Sequence, residues 1–225
     1  MENVIIEIYK KLKHMYGNQA HWWPGKTPFH IALGAILTQN TSWHQAYKAL
    51  INLINHKLDT PEAIERTDME TLKYLIRPAG FMNQKALYIK EFSHYLCNHL
   101  ACEMQNLLKL EDPRKTLLKI KGIGKETADS ILLYGLNQPY FVIDAYTKRI
   151  FSRLGLISIN TNYDEVALLF TRNIPPDPNL YKEYHALIVE HAKQRCKKKN
   201  PICGNCKLRD LCSLQKKVNR QTQGT

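Results

Sequence analysis

The 225-residue chain has no apolar run long enough to span a bilayer, and Met1-Glu2-Asn3 is not the basic opening of a signal peptide. Both absences argue against a membrane and for the cytoplasm, or for the nucleoid of a prokaryotic host. No linker rich in Gly, Ser or Pro separates two domains, and no internal repeat appears. Low-complexity sequence is confined to a polar tail after Lys217. Strand signals are scarce too, because Val142-Ile143 is too short a run to argue for a sheet. Acidic residues are in short supply: 20 Asp and Glu stand against 32 Lys and Arg, a formal charge of +12. That imbalance points to a polyanionic partner. Its distribution strengthens the point, since residues 191–220 hold ten Lys or Arg and the single acid Asp210.

What remains is the pattern of an all-α protein large enough for one substantial core or two small ones. Ile5, Ile8, Tyr9 and Leu12 recur at helical spacing, and that helix ends near Gly17. Pro28 suits the first turn of a second helix, Phe29 to Gln39, whose Ile31, Ala32, Ala35 and Ile36 make a narrow apolar face. Thr41 or Ser42 caps a third, reaching about Asn55. Thr60-Pro61, Asp68 and Asp112-Pro113 open further helices, and a longer one runs from about Asn83 to Leu100. Three more follow near 145–154, 163–173 and 179–195.

The most informative stretch is Leu117 to Leu154, in which a tight glycine turn between helical runs precedes a lone Asp144. Gly122 and Gly124 let the backbone approach an anion and present bare N–H groups to it. The positive N-terminal end of the helix starting near Lys125 adds to the same spot. A bland reading also exists: an ordinary helix–helix turn, with Asp144 serving as the N-cap of the run Ala145 to Leu154. The two uses of Asp144 are compatible.

This segment resembles the helix-hairpin-helix DNA glycosylases of the endonuclease III superfamily, and the likeness extends from about Pro28 to Cys212. It implies a two-lobed, all-helical fold. A six-helix barrel lobe would span residues 26–137 and carry the hairpin, and residues 1–25 and 138–225 would form the second lobe. It implies a monomer without an obligate protein partner, acting on double-stranded DNA that contains a damaged base. By the same resemblance Gly122, Gly124, Lys125 and Thr127 hold the DNA backbone, and Asp144 is the catalytic carboxylate.

Cys196, Cys203, Cys206 and Cys212 are spaced C-x6-C-x2-C-x5-C, whereas Cys97 and Cys102 lie apart on a helical run and read as buried core thiols. Four thiols within seventeen residues of a basic chain suggest a metal site rather than disulfides. Zinc is one candidate, although its four-cysteine sites usually pair two short knuckles and only one is present here. The string from His191 to Cys212 is similar to the iron–sulfur loop of the superfamily, which implies a [4Fe-4S] cluster in loop 196–212. Such a cluster would shape Lys197, Lys198 and Lys199 for phosphate contact.

One departure from the family narrows the chemistry. In its bifunctional branch a Lys two residues past the second hairpin Gly forms a Schiff base, and here that position is Glu126. A carboxylate forms no imine, so hydrolysis without strand cleavage is the route left open. Trp22-Trp23-Pro24, together with Trp43 after the Thr38-Gln39-Asn40 turn, is similar to the 3-methyladenine glycosylase branch, where aromatic rings from these two places sandwich the base. Electron-poor, often cationic alkylated purines stack well between indoles; alternatively, Trp22 and Trp23 close a core corner. Gln39 stands where the family inserts a Gln into the emptied duplex, and Phe81 or Met82 could wedge from the other side. Otherwise Phe81 is a hydrophobic staple for a helix capped at Asn83. His21, His30, His44, His185 and His191 read as packing or surface residues. The sequence thus suggests a monofunctional glycosylase for alkylated purines such as 3-methyladenine. An alternative is a mismatch or oxidised-pyrimidine glycosylase, with lyase activity from another Lys. A third reading is a DNA-structure binder without turnover.

Overall fold

Every regular element among the described residues, 3–19 and 26–214 of this computed structural model, is helical. By its internal contacts the chain divides into a continuous unit, Trp23–Gln138, and a split unit, Met1–Trp22 with Pro139–Thr225. Helix α1 (Val4–Tyr16) opens the split unit. The continuous unit holds α2 (Pro28–Leu37), α3 (Trp43–Asn55), α4 (Pro61–Arg66), α5 (Met69–Ile76), α6 (Met82–Leu100), α7 (Pro113–Lys119) and α8 (Lys125–Ser130). The split unit resumes with α9 (Ala145–Leu154), α10 (Tyr163–Thr171) and α11 (Pro178–Gln194). The starts follow from local chemistry: Thr27, Ser42, Thr60, Asp68 and Asp112 each accept a first-turn backbone N–H through the side chain. Proline occupies the first turn of α2, α4, α7 and α11, where its missing N–H costs nothing.

In the continuous unit α2 is the central rod. It packs against α3, α6, α8 and the π-helical turn Ile131–Gly135 that continues α8. The narrow apolar face expected for α2 is therefore corrected, because Phe29, His30 and every residue from Ala32 to Leu37 are buried. A helix surrounded by others is apolar on all sides, and a stripe is the signature of a surface helix. Helices α4 and α5 pack on α6, whose buried stripe is Lys85, Ala86, Ile89, Phe92, Ser93, Leu96 and Leu100. That helix ends at Ala101 in a left-handed conformation. Across this end Cys97 and Cys102 are joined by a disulfide, so the reading of both as buried thiols is also corrected. They sit half-buried on either side of the turn, where the reversal of the chain brings the two side chains together.

The split unit is built on an aromatic core. Phe141 stacks on Phe170 with centroids 3.9 Å apart, and Phe151 and Tyr184 meet Phe170 edge-on at 4.7 and 5.5 Å. Helix α11 packs against both α1 and α9. The Tyr184 hydroxyl donates to the Ile5 carbonyl at 2.8 Å, which ties α11 to α1 across 179 residues of sequence. Val142 and Ile143 are buried in a non-helical segment that delivers the chain to Asp144.

Candidate active site and nucleic-acid interface

Between α7 and α8 the loop Lys121-Gly122-Ile123-Gly124 is pinned from beneath by Ile120 and Ile123, which are 7% and 5% exposed. Gly122 has φ +88°, and a Cβ there would lie 2.0 Å from the Tyr88 ring, so glycine is required twice over. Gly124 differs: its φ is −87° and a Cβ would meet nothing within 4 Å. The fold itself imposes no need for glycine at 124, and the position faces outward beside exposed Lys119, Lys121 and Lys125. A bidentate pair, Arg114 to Asp129 at 2.6 and 3.1 Å, clamps α7 to α8. Glu126 lies in the first turn of α8, where its charge complements the helix dipole.

Gln39 belongs to the same assembly. Its side-chain amide donates to the Gly122 carbonyl at 2.9 Å and to the Thr127 hydroxyl at 3.0 Å. Thr127 is buried, and its hydroxyl is turned towards Gln39. Phe81 is 62% exposed in a left-handed conformation with φ +48°, and α6 starts at Met82, itself exposed. The alternative in which Phe81 staples a helix capped at Asn83 is thereby corrected, since α6 begins at Met82 with Phe81 itself at the N-cap position and most of its ring exposed. Trp43 is half-buried in the first turn of α3, with its ring 6.3 Å from that of Tyr47. Trp22, Trp23 and Pro24 lie outside the described residues.

In the split unit Asp144 is the N-cap of α9. Its Oδ1 accepts from the Thr147 backbone N–H at 2.7 Å and from the Thr147 hydroxyl at 2.9 Å. Oδ2 faces Nε2 of His185 at 3.4 Å. Burial pushes the carboxyl up, but His185 and the Thr147 donors outweigh it and hold Asp144 below the ordinary carboxylate range. The side chain keeps 13% exposure, so one edge of an ionised carboxylate remains open to a ligand. Packing alone does not describe His185, which is 4% exposed and directed at the carboxylate. The signal was its place on α11 among the buried Tyr181, Tyr184 and Ile188, where a polar ring must find a partner.

The far end of α9 holds the cysteine loop. Arg149 donates to the Cys196 carbonyl at 2.9 Å, and Arg153 donates to the Lys197 and Lys198 carbonyls at 2.8 and 3.0 Å. An Arg153 N–H also meets the Cys196 sulfur at 3.2 Å. Cys196, Cys203, Cys206 and Cys212 line one pocket with Ile150, Leu154 and Leu208. Burial and the neighbouring cysteines push the Cys203 and Cys206 thiols up. Among the described residues no three His, Cys, Asp or Glu side chains are grouped to hold one metal ion. Lys197, Lys198 and Lys199 are exposed on the rim.

Residues 33–176 match the model of the HhH-GPD superfamily base excision DNA repair proteins. The chain is 46% identical to the Methanocaldococcus jannaschii protein MJ1434, itself named only provisionally as a DNA repair glycosylase, over 93% of this chain and 96% of that one. It is 32% identical to an endonuclease III of Sulfolobus acidocaldarius, over 93% and 96% of the two chains. Among solved structures, the Helicobacter pylori 3-methyladenine DNA glycosylase bound to 1,N6-ethenoadenine matches with a TM-score of 0.75 and 32% identity, covering 86% of this chain and 98% of that one. The chain belongs to the HhH-GPD superfamily of base excision DNA repair proteins and is a DNA glycosylase of that family.

Proposed function

We propose that this glycosylase hydrolyses the N-glycosidic bond of alkylated purines such as 3-methyladenine in double-stranded DNA and leaves the strand uncut. The observation that carries the proposal is Glu126, in the first turn of α8 where a lyase of this family would place its amine. The 32% identity to a glycosylase named for 3-methyladenine supports the choice of base. Cleavage gives the sugar oxocarbenium character. Asp144, ionised and buried, would steady that cation with Oδ2 while Thr147 fixes the other oxygen. A depressed pKa makes it a weak base, so charge stabilisation outweighs proton abstraction as its role. An alkylated purine leaves already positive and needs little acid assistance. Trp43, with Trp22 and Trp23, would supply the stacking faces.

On the DNA side, Gly122, Gly124 and Lys125 would grip the phosphates through backbone N–H groups and charge. Gln39 would exchange its bonds to Gly122 and Thr127 for the emptied duplex. Phe81 or Met82 would enter from a second loop.

Cys196, Cys203, Cys206 and Cys212 fit a [4Fe-4S] cluster in ligand chemistry: four cysteine sulfurs, the donors such clusters use, line one pocket beside α9. When bound, such a cluster would supply a fixed scaffold for Lys197, Lys198 and Lys199.

The identity to an endonuclease III favours a second reading, a glycosylase for mismatched or oxidised pyrimidines with lyase activity from another Lys. A panel of defined-lesion duplexes, scored separately for free base and strand scission, decides between them. Release of 3-methyladenine with no scission and no borohydride-trapped adduct is the expected result. Trapping, or release confined to pyrimidines, would overturn it.

A further inference from the structure

Lys85 is 2% exposed, and among the described residues no carboxylate acts on it. Its ammonium donates to two backbone carbonyls instead, that of Leu37 at 2.8 Å and that of Ala79 at 2.9 Å. Both lie at helix ends. Leu37 is the last residue of α2, and Ala79 closes the short 3-10 turn Arg77–Ala79. Such terminal carbonyls lack a partner within their own helix and carry the negative end of its dipole. What each precedes is the informative point. The turn carrying Gln39 begins immediately after Leu37, and the loop carrying Phe81 begins immediately after Ala79. The same ammonium lies 5.8 Å from the centroid of the Phe81 ring, and the Lys85 backbone N–H donates to the Phe81 carbonyl at 2.9 Å.

We infer that Lys85 is a positioning residue that couples the two proposed duplex wedges, locking the Gln39 turn and the Phe81 loop into one unit that enters DNA together. This rests on the reading of Gln39 and Phe81 as wedges. An apolar side chain of the same length would fill the space but leave two buried acceptors without a donor, and the two loops would then shift independently. The cost of burying the ammonium appears as a pKa lowered to about 8, which still leaves it largely protonated at neutral pH. A charge held under that penalty, with its donors divided between two loops, is suited to setting their spacing.

The test is a double-mutant cycle on the full-length protein. Single-turnover base release, and fluorescence of 2-aminopurine beside the lesion, are measured for Gln39→Ala, Phe81→Ala and the double variant. Each is made with Lys85 intact, with Lys85→Met and with Lys85→Gln. With Lys85 intact, each truncation is expected to slow release about tenfold, and the pair to fall short of the product by about fivefold or more. In Lys85→Met release slows and the two truncations become multiplicative, while Lys85→Gln, whose shorter side chain still carries amide N–H donors, recovers part of the coupling. Multiplicative truncations in the presence of Lys85 overturn the inference, a result that needs no Lys85 variant to fold. Coupling that persists unchanged in well-folded Lys85→Met overturns it as well. If neither truncation alters release or the 2-aminopurine signal, the wedge reading itself fails, and the inference with it.

Discussion

Replacing Asp144 by Asn separates the helix cap that this side chain forms from the catalytic charge proposed for it. The amide carbonyl can take over Oδ1 and accept the Thr147 N–H and hydroxyl bonds, now 2.7 and 2.9 Å long. Asn and Asp cap helices about equally well, so Asp144→Asn should change stability by less than about 1 kcal/mol. The charge proposed to face the sugar is lost outright. Removing one preorganised electrostatic group from an active site typically costs about 10²–10³ in kcat, or about 2.7–4 kcal/mol, and loss of a full charge belongs at the upper end. Single-turnover release of 3-methyladenine should therefore fall by about three orders of magnitude. Binding to an abasic-site duplex, followed by fluorescence anisotropy, should stay within about threefold, since the phosphate contacts that dominate affinity are untouched. Stability against pH supplies an independent check. Because the fold depresses the Asp144 pKa, its stabilisation is fully present above the unfolded value and is lost as pH falls through the folded one. The Asn variant should lack that acid-side loss. Base release close to the wild-type rate would refute the electrostatic mechanism. Loss of folding and DNA binding together would reduce Asp144 to a helix cap.

Other parts of the site give outcomes of different kinds. Gly122→Ala forces a left-handed Ala, at about 1–2 kcal/mol, and overpacks the Tyr88 ring at about 1–3 kcal/mol more, so denaturant titration should show their sum. Adding Tyr88→Ala should remove the overlap but not the backbone strain, and full recovery would show that φ at 122 is irrelevant. His185→Asn removes a group that lowers the Asp144 pKa, so the acid limb of the rate profile should move to higher pH. A histidine that only packs would cost stability and leave the limb in place. Replacing Lys197, Lys198 and Lys199 together by Ala should reduce the slope of log affinity against log salt by up to about 2.7, if each meets a phosphate. An unchanged slope would place the DNA elsewhere.

Much of this molecule is written locally. Capping residues and prolines place the starts of α2, α4, α5, α7 and α9 within a residue or two, because a cap is a short-range hydrogen bond. The glycine turn, Asp144 and the cysteine spacing were legible for the same reason: each is a motif contained in a few residues. What could not be read depends on long-range neighbours. A stripe of Ile31, Ala32, Ala35 and Ile36 looks like one buried face until α3, α6 and α8 close around α2. Gln39 carries no sign that its amide will rest on Gly122, 83 positions away. The disulfide needed the reversal at Ala101 to bring Cys97 and Cys102 together. Lys85 and His185 are an intermediate case. Each interrupts an apolar helical stripe, and a polar group at a core position announces a partner without naming it.

Helix α9 shows why the carboxylate and the cysteine loop belong together in the split unit. Ten residues, about 15 Å of helix, separate a cap that holds the charge from a C-terminus that holds the loop. Arg149 and Arg153 are one turn apart on a single face, and both bind loop carbonyls. Ser213 closes the arrangement by donating to the Leu154 carbonyl at 2.9 Å. Gly155, at φ +84°, leaves room for that contact, since a Cβ there would lie 2.4 Å from the Ser213 hydroxyl. The loop therefore satisfies groups at the end of α9 that would otherwise fray, and a frayed C-terminus shortens a helix of fewer than three turns from behind. The Thr147 N–H and hydroxyl that fix Oδ1 of Asp144 sit in the first of those turns. Damage to the cysteine loop should consequently appear in the orientation of a carboxylate at the opposite end of the helix, with no direct contact between the two.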